Sequence, residues 1–316
     1  MVLDTIKDQI VFMDVLTSLL TILIIVLAGF LSRRTNLLGA GEAKTLSSFV
    51  YYFGLPALFF SKISALDLTT LNPQVVIGTV VPTLAVLLIL LGLRMVKILK
   101  KDTYILLSLS VSFGSYAFFG VAFFETFQSG RWFELAILAA SLLGIVGIIS
   151  TITLFEFANR KEQGLGFISK IFTNPLILSI LLGIIASLLN LQLGFLNNAL
   201  VLIGQTASGT AIFVLGMFIH DRFEFRVIKE ALFYSLFRAI VLPLAAVLTI
   251  AVLIPGAGEL GQFILLENGM PAAIALVVFA ERYEYKVAEC AGIVSLTSII
   301  SFVILTSLFY LADFLY

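Results

Sequence analysis

The chain is short of the residues from which soluble catalytic and metal sites are usually made. Its 316 residues include one cysteine, Cys290, one histidine, His220, and one tryptophan, and 12% are charged. A lone cysteine excludes a disulfide framework or a cysteine metal cluster within the chain. A lone histidine, here beside Asp221 at the end of an apolar run, excludes a histidine metal site, so no metal and no cofactor is expected. Soluble domains carry ~25% charged and ~45–50% apolar residues; this chain is 60% hydrophobic with a mean hydropathy of +1.13. Formal net charge is zero, with no basic tail and no interleaving of basic and aromatic residues, which argues against nucleic acid as a partner. No nucleotide-binding motif is present, and no nucleophile–base pair stands within an apolar run. ATP-driven transport by this chain and an enzyme are both read out. What remains is an all-α polytopic membrane protein whose first partner is the lipid bilayer.

A span needs ~20 largely apolar residues. Runs of that kind cover 13–31, 38–63, 74–95, 103–127, 133–157, 168–189, 197–219, 227–253, 258–280 and 287–314, ten in all. The first is too long for a signal-peptide core and ends in Arg33 and Arg34 rather than a cleavage site, so it reads as a span. Basic residues alternate with the connections. Arg33, Arg34 and Lys44 lie at the first; Arg94, Lys97, Lys100 and Lys101 at the third; Arg160, Lys161 and Lys170 at the fifth. Arg222, Arg226 and Lys229 lie at the seventh, and Arg282 and Lys286 at the ninth. The even connections and the N-terminus hold only Lys7, Lys62 and Arg131. Positive charge stays on the cytoplasmic side, so the odd connections are expected inside and both termini outside, in the cell (plasma) membrane.

Five spans, a polar connector and five more spans point to two inverted five-helix repeats: 1–157, a cytoplasmic connector 158–167, and 168–316. GLPALFF, from Gly54, is echoed by SGTAIFV, from Ser208, and Pro82 by Pro243. Pro56 predicts a kink or unwound turn, and its neighbours Tyr51 and Tyr52 read as ordinary packing.

Two spans are interrupted. The ninth carries Glu267, Asn268, Gly269 and Pro271 in its interior. An acid in hydrocarbon must be paired, protonated or wetted, and a proline frees carbonyls one turn back. The fourth carries Ser108, Ser112 and Ser115 at helical spacing, with Gly114 and Gly120 around the last of them. Corresponding broken helices near the midplane mark binding sites in repeat transporters. Ser112, Ser115, Asn268 and Gly269 are therefore candidate substrate contacts, with Gly114, Gly120 and Pro271 shaping the crossover backbone. Small-residue helix packing is the plainer reading of the serine face. Glu267 and Arg238 are the ionisable residues nearest the middle of spans. They are candidates for charge balance or proton coupling, or for an internal ion pair that never meets substrate.

The segments GFLSRR (from Gly29), FVYYFGLPALFFSKI (from Phe49), TNPLILSILLGII (from Thr173), SGTAIFVLGMFI (from Ser208), FRAIVLPL (from Phe237) and GMPAAIALVVFAERYEY (from Gly269) resemble, in order and spacing, the auxin efflux carrier family. The resemblance implies ten helices in an inverted repeat with broken crossover helices four and nine. It also implies a scaffold of helices 1, 2, 6 and 7 that pairs as a homodimer, and an elevator-like transport domain of helices 3–5 and 8–10. The family carries small organic anions. Its fourth helix usually reads Asn-x-Gly-x-x-Gly-x-Pro; here Ser115 stands at the asparagine and Ala122 at the proline. The leading expectation is a secondary transporter of a small anionic organic solute such as a carboxylate. The alternatives are an ion-coupled symporter or antiporter of related crossover fold, and a membrane sensor that binds without transporting. Aspartates lying only at termini or span ends count against the antiporter.

Overall fold

The structure, a computed structural model, describes residues 17, 20–65, 72–127, 131–159, 173–191, 193–222 and 225–315. The start of the first expected span and residues 160–167 of the expected connector lie outside these. Residues 20–34 form helix α1. Then come α2 (Ala40–Phe49), α3 (Leu55–Ala65), α4 (Pro73–Met95), α5 (Lys101–Ser112), α6 (Val121–Thr126) and α7 (Phe133–Asn159). After them follow α8 (Pro175–Leu188), α9 (Gly194–Arg222), α10 (Ile228–Leu253), α11 (Glu259–Asn268), α12 (Ala275–Arg282) and α13 (Val287–Leu315). Among the described residues there is no strand, only one isolated antiparallel bridge between Gly114 and Ala272. Among the described residues six stretches are long and apolar enough to cross a membrane: α2 running on into α3, then α4, α7, α9, α10 and α13. Helix α8 is apolar but shorter.

Proline chemistry decides where several of these helices start and bend. α4 and α8 open with Asn72–Pro73 and Asn174–Pro175. In each the asparagine Oδ1 accepts from the backbone N–H two residues on, at 2.9 and 3.0 Å, while proline takes the first helical position, where an N–H would be unsatisfied anyway. Pro56 has no N–H to return to Tyr52, and its ring crowds that carbonyl. The chain responds by widening into a π-turn over Val50–Gly54, closed by Leu55 N–H on Val50 O, so α2 passes into α3 without a break. Pro82 and Pro243 sit inside α4 and α10, which both continue through them.

Small residues set the close crossings. A side chain at Gly29 would strike Phe213 O, and one at Gly216 would strike Val26 O, so α1 and α9 touch backbone to backbone. Across the ends of that pair, Arg33 Nε donates to both Asp221 carboxylate oxygens at 2.9 Å, and Arg33 Nη1 donates to Leu38 O at 2.6 Å. Gly204 meets the Leu58 backbone of α3, and Gly183 of α8 meets Ile63 and Phe60 O. On the outside, large apolar side chains such as Leu182, Ile185 and Leu188 of α8 and Leu88 and Ile89 of α4 are exposed. That surface suits hydrocarbon.

Replacing Gly216 by leucine should force α9 off α1 and cost about 2–4 kcal/mol, the range of severe overpacking. Gly92→Leu, at an exposed helical position with open space around it, should change stability by no more than roughly 0.5 kcal/mol. Thermal unfolding of the two variants in one detergent checks the contrast; equal losses would remove the close crossing as their cause.

Candidate crossover site

The fourth and ninth expected spans are each broken in two, and the breaks meet. α5 ends at Ser112, and the chain runs extended through Phe113 and Gly114 before helix resumes as a π-turn over Tyr116–Gly120 leading into α6. α11 ends at Asn268, and helix resumes at Ala275 in α12. The two extended pieces pair antiparallel. Ser115 N–H donates to Pro271 O at 2.7 Å, and Ala273 N–H donates to Phe113 O at 2.9 Å. Ala272 N–H goes to Thr297 Oγ1 on α13 at 3.1 Å. A break inside a membrane protein is tolerated only when its backbone groups find such partners.

Arg238 supplies the rest. It rises from the middle of α10 and is 1% exposed. Its Nη1 donates to Ser110 O at 2.6 Å, and its Nε and Nη2 donate to Met270 O at 3.1 and 3.0 Å. Nη2 also reaches Tyr116 Oη at 3.4 Å, with the guanidinium carbon 5.9 Å from the centre of the Tyr116 ring. The carbonyls at the C-terminal ends of α5 and α11 are thus gathered by one cation, the sign that a helix C-terminus favours. Gly114 leaves room for this: any side chain there would strike Arg238 Nη2 and the Tyr116 ring.

Glu267 is handled differently. It is fully buried at the end of α11, and neither carboxyl oxygen has a hydrogen-bond partner among the described residues. The Arg238–Glu267 pair expected as one reading of these residues does not form; the arginine is committed to carbonyls. A side chain at Gly120 would come within 3.4 Å of Glu267 Oε2 and 3.6 Å of Met270 Cγ, so the acid lies directly over that glycine. Asn268 turns the other way, its Nδ2 donating to Ile264 O at 2.9 Å and to Gly78 O of α4 at 3.3 Å, with Oδ1 unpartnered among the described residues.

A cleft of about 610 Å³, its open mouth included, lies against one side of the crossover. Its walls are Phe113–Phe118 and Ala273–Ala275 from the two breaks, Ser47, Tyr51, Leu55 and Phe59 from the α2–α3 stretch, and residues of α7 and α8. Of the sequence candidates, Ser115 and Gly114 reach this cleft. Ser112 does not line it: its hydroxyl lies 3.2 Å from Thr151 Oγ1 and donates to Leu109 O. Asn268, Gly269 and Gly120 lie behind the crossed segments, Gly269 against Leu308. Pro271 contributes its carbonyl to the bridge. Tyr51, read from the sequence as packing, lines the cleft and accepts from Asn174 Nδ2 at 2.8 Å.

The first N–H groups of a helix have no intrahelical acceptor. Those of Tyr116, Ala117 and Phe118 at one restart and of Ile274 and Ala275 at the other find none elsewhere among the described residues. Two positive helix ends therefore border one apolar cleft. The profile of the membrane transport protein family matches residues 14–310. The chain belongs to this family, that of the auxin efflux carriers. A relative described as an uncharacterized transporter, from Methanothermobacter thermautotrophicus strain Delta H, is 22% identical over 310 residues, which are 93% of this chain and 97% of the relative. A family member of this composition is an integral membrane transport protein.

Two substitutions separate the roles of the two buried ionisable residues. Arg238→Met strands Ser110 O and Met270 O and should cost about 2–5 kcal/mol, as removal of a buried charged donor does. Glu267→Gln removes no bond and should cost less than about 1 kcal/mol. Unfolding temperatures in detergent measure both, and a Glu267→Gln loss as large as that of Arg238→Met would contradict the assignment.

Proposed function

We propose that the chain is a secondary transporter of a small anionic organic solute, a carboxylate being the class that fits best. The observation that carries this reading is the cleft at the crossover. Its apolar walls would hold a carbon skeleton, and the unfilled N–H groups at Tyr116–Phe118 and Ile274–Ala275 would hold a carboxylate at two helix N-termini. No side-chain cation is needed there, which frees Arg238 for its structural duty. Among the hydroxyls that line the cleft, those of Ser115 and Tyr51 would orient the ligand.

In this proposal the chain crosses the membrane ten times as two inverted repeats, 1–157 and 168–316, with both termini outside the cell membrane. Helices 1, 2, 6 and 7 of that count form the scaffold, which pairs as a homodimer. The others form a transport domain that slides against it and carries the crossover from one side to the other. The position of the cleft supports this division: one wall comes from α2, α3 and α8, the other from α7 and the broken helices. Cysteines placed at Lys100 and Leu191 should then label from opposite faces of the membrane, and labelling from one face would end the ten-span topology.

Uptake of labelled malate, malonate and an aromatic carboxylic acid into right-side-out and inside-out vesicles tests the function. Saturable flux of at least one acid is expected. Binding with no flux would replace the carrier by a sensor. The ion-coupled alternative rests on Glu267, a carboxyl without a donor among the described residues, which can take up and release a proton without breaking any contact seen there. If it couples protons, Glu267→Gln should flatten the pH dependence of uptake while leaving flux at the optimum within about tenfold. A profile of unchanged shape would assign the residue to structure alone.

A further inference from the structure

A second cleft, of about 740 Å³ with its open mouth included, lies on α6, beyond the break in the fourth span. It is bounded by α3, α6, α7 and α9, and it is more polar than the crossover cleft. Lys62 and Ser61 come from the end of α3, Glu125 from α6, Gln205 from α9 and Phe133 from the start of α7. Lys62 is part-buried, and Glu125 is exposed in the opening. Although both line one cleft, they do not pair. No ion pair within 4.0 Å joins them, and neither enters one with any other described residue. The contact Lys62 does make is with an aromatic face, its Nζ 5.1 Å from the Phe133 ring centre. Such a contact is weak beside a full ion pair, and a ligand carboxylate can share the ammonium with it.

One cation and one anion that line the same cleft without pairing with each other, beside the Gln205 amide, specify a ligand of the same pattern reversed. We infer that this cleft is a second binding site, taking a small solute that carries one carboxylate and one ammonium group. The carboxylate meets Lys62, the ammonium meets Glu125 and the Gln205 carbonyl, and the carbon skeleton rests on Phe133. A dicarboxylate would set its second charge against Glu125 and be disfavoured, because like charges brought together in a partly desolvated cleft repel. A simple monocarboxylate would leave Glu125 without a partner. The walls come from α3 and α9 on one side and from α6 and α7 on the other. A ligand here therefore bridges the two groups of helices that the transport proposal sets in relative motion. The binding claim itself does not depend on that proposal.

A matched set of three-carbon probes tests it on the purified full-length chain in detergent. β-Alanine carries both charges, propionate the carboxylate alone, propylammonium the cation alone, and malonate two carboxylates. Calorimetry gives the affinities, and the fluorescence of Trp132, the chain's one tryptophan and the neighbour of Phe133, reports the place. β-Alanine should bind about tenfold more tightly than propionate or propylammonium, as two partly exposed charge contacts allow, with malonate no better than propionate. Glu125→Gln should abolish the preference for β-alanine over propionate and raise malonate binding. Lys62→Gln should remove carboxylate binding, and Lys62→Arg should restore it. Equal affinity for all four probes, no binding of β-alanine, or a preference that survives both Glu125→Gln and Lys62→Gln would overturn the site. Uptake of malate or malonate is scored separately in vesicles, so failure of the carrier reading leaves this result standing, and the reverse.

Discussion

A broken helix in hydrocarbon leaves backbone groups unsatisfied, and the way this need is met organises the centre of the protein. α5 and α11 each stop among buried residues, Ser110 being 0% and Met270 1% exposed, so the last carbonyls need partners within the protein. The two breaks meet part of the need from one another, through the pair of hydrogen bonds about Gly114 and Ala272. Arg238 meets much of what remains, reaching Ser110 O and Met270 O from a third helix. A guanidinium suits this position because it is always charged and its planar fork can serve two carbonyls from two helices at once. A lysine would offer one point of charge at the end of a flexible stem.

This division of labour bears on electrostatics. The C-terminal ends of the first half-helices face Arg238, so negative dipole is met by a fixed positive charge. The N-terminal starts of the second half-helices border the cleft, so positive dipole is left for something that enters it. Were Arg238 paired with Glu267, the carbonyls would lose their cation and the acid would lose its freedom. With the pair unformed, Arg238 is structural and Glu267 is a carboxyl without a donor among the described residues, seated over Gly120. The two residues, which look equivalent as rare ionisable groups within apolar runs, therefore do opposite things.

The fold is largely legible in the sequence because its signals are local. Long apolar runs, Asn–Pro starts, and a proline with an acid inside one span each act within a turn or two of themselves. Gly114 and Pro271 mark the two breaks for the same reason. The connections between the breaks are not legible, since Arg238 meets carbonyls 128 and 32 residues away, and any residue type can supply a carbonyl. Tyr116 escapes notice because an aromatic in an apolar helix gives no sign that its hydroxyl faces a cation. The serine face of the fourth span misleads in one respect. Helical spacing puts Ser108, Ser112 and Ser115 together only if the helix continues, and it ends at Ser112, leaving Ser115 in the cleft and Ser112 on Thr151.

The same geometry explains how the fourth span can do without the proline that its family usually carries. Ala122 stands at that position, and it lies within α6, eight residues after the bridge at Gly114. A proline there would affect the helix that follows the break rather than the break itself. Pro271, by contrast, is at the contact, its carbonyl accepting from Ser115 N–H. The fourth-span break is held open from outside, by the opposite extended segment, by Arg238 on Ser110 O, and by a glycine at 114 where any side chain would collide with Arg238 or Tyr116. Because those restraints come from tertiary contacts, the local sequence of α6 is free to change without closing the gap. Ala122 does not line the cleft, so loss of the family proline leaves the crossover and its walls intact.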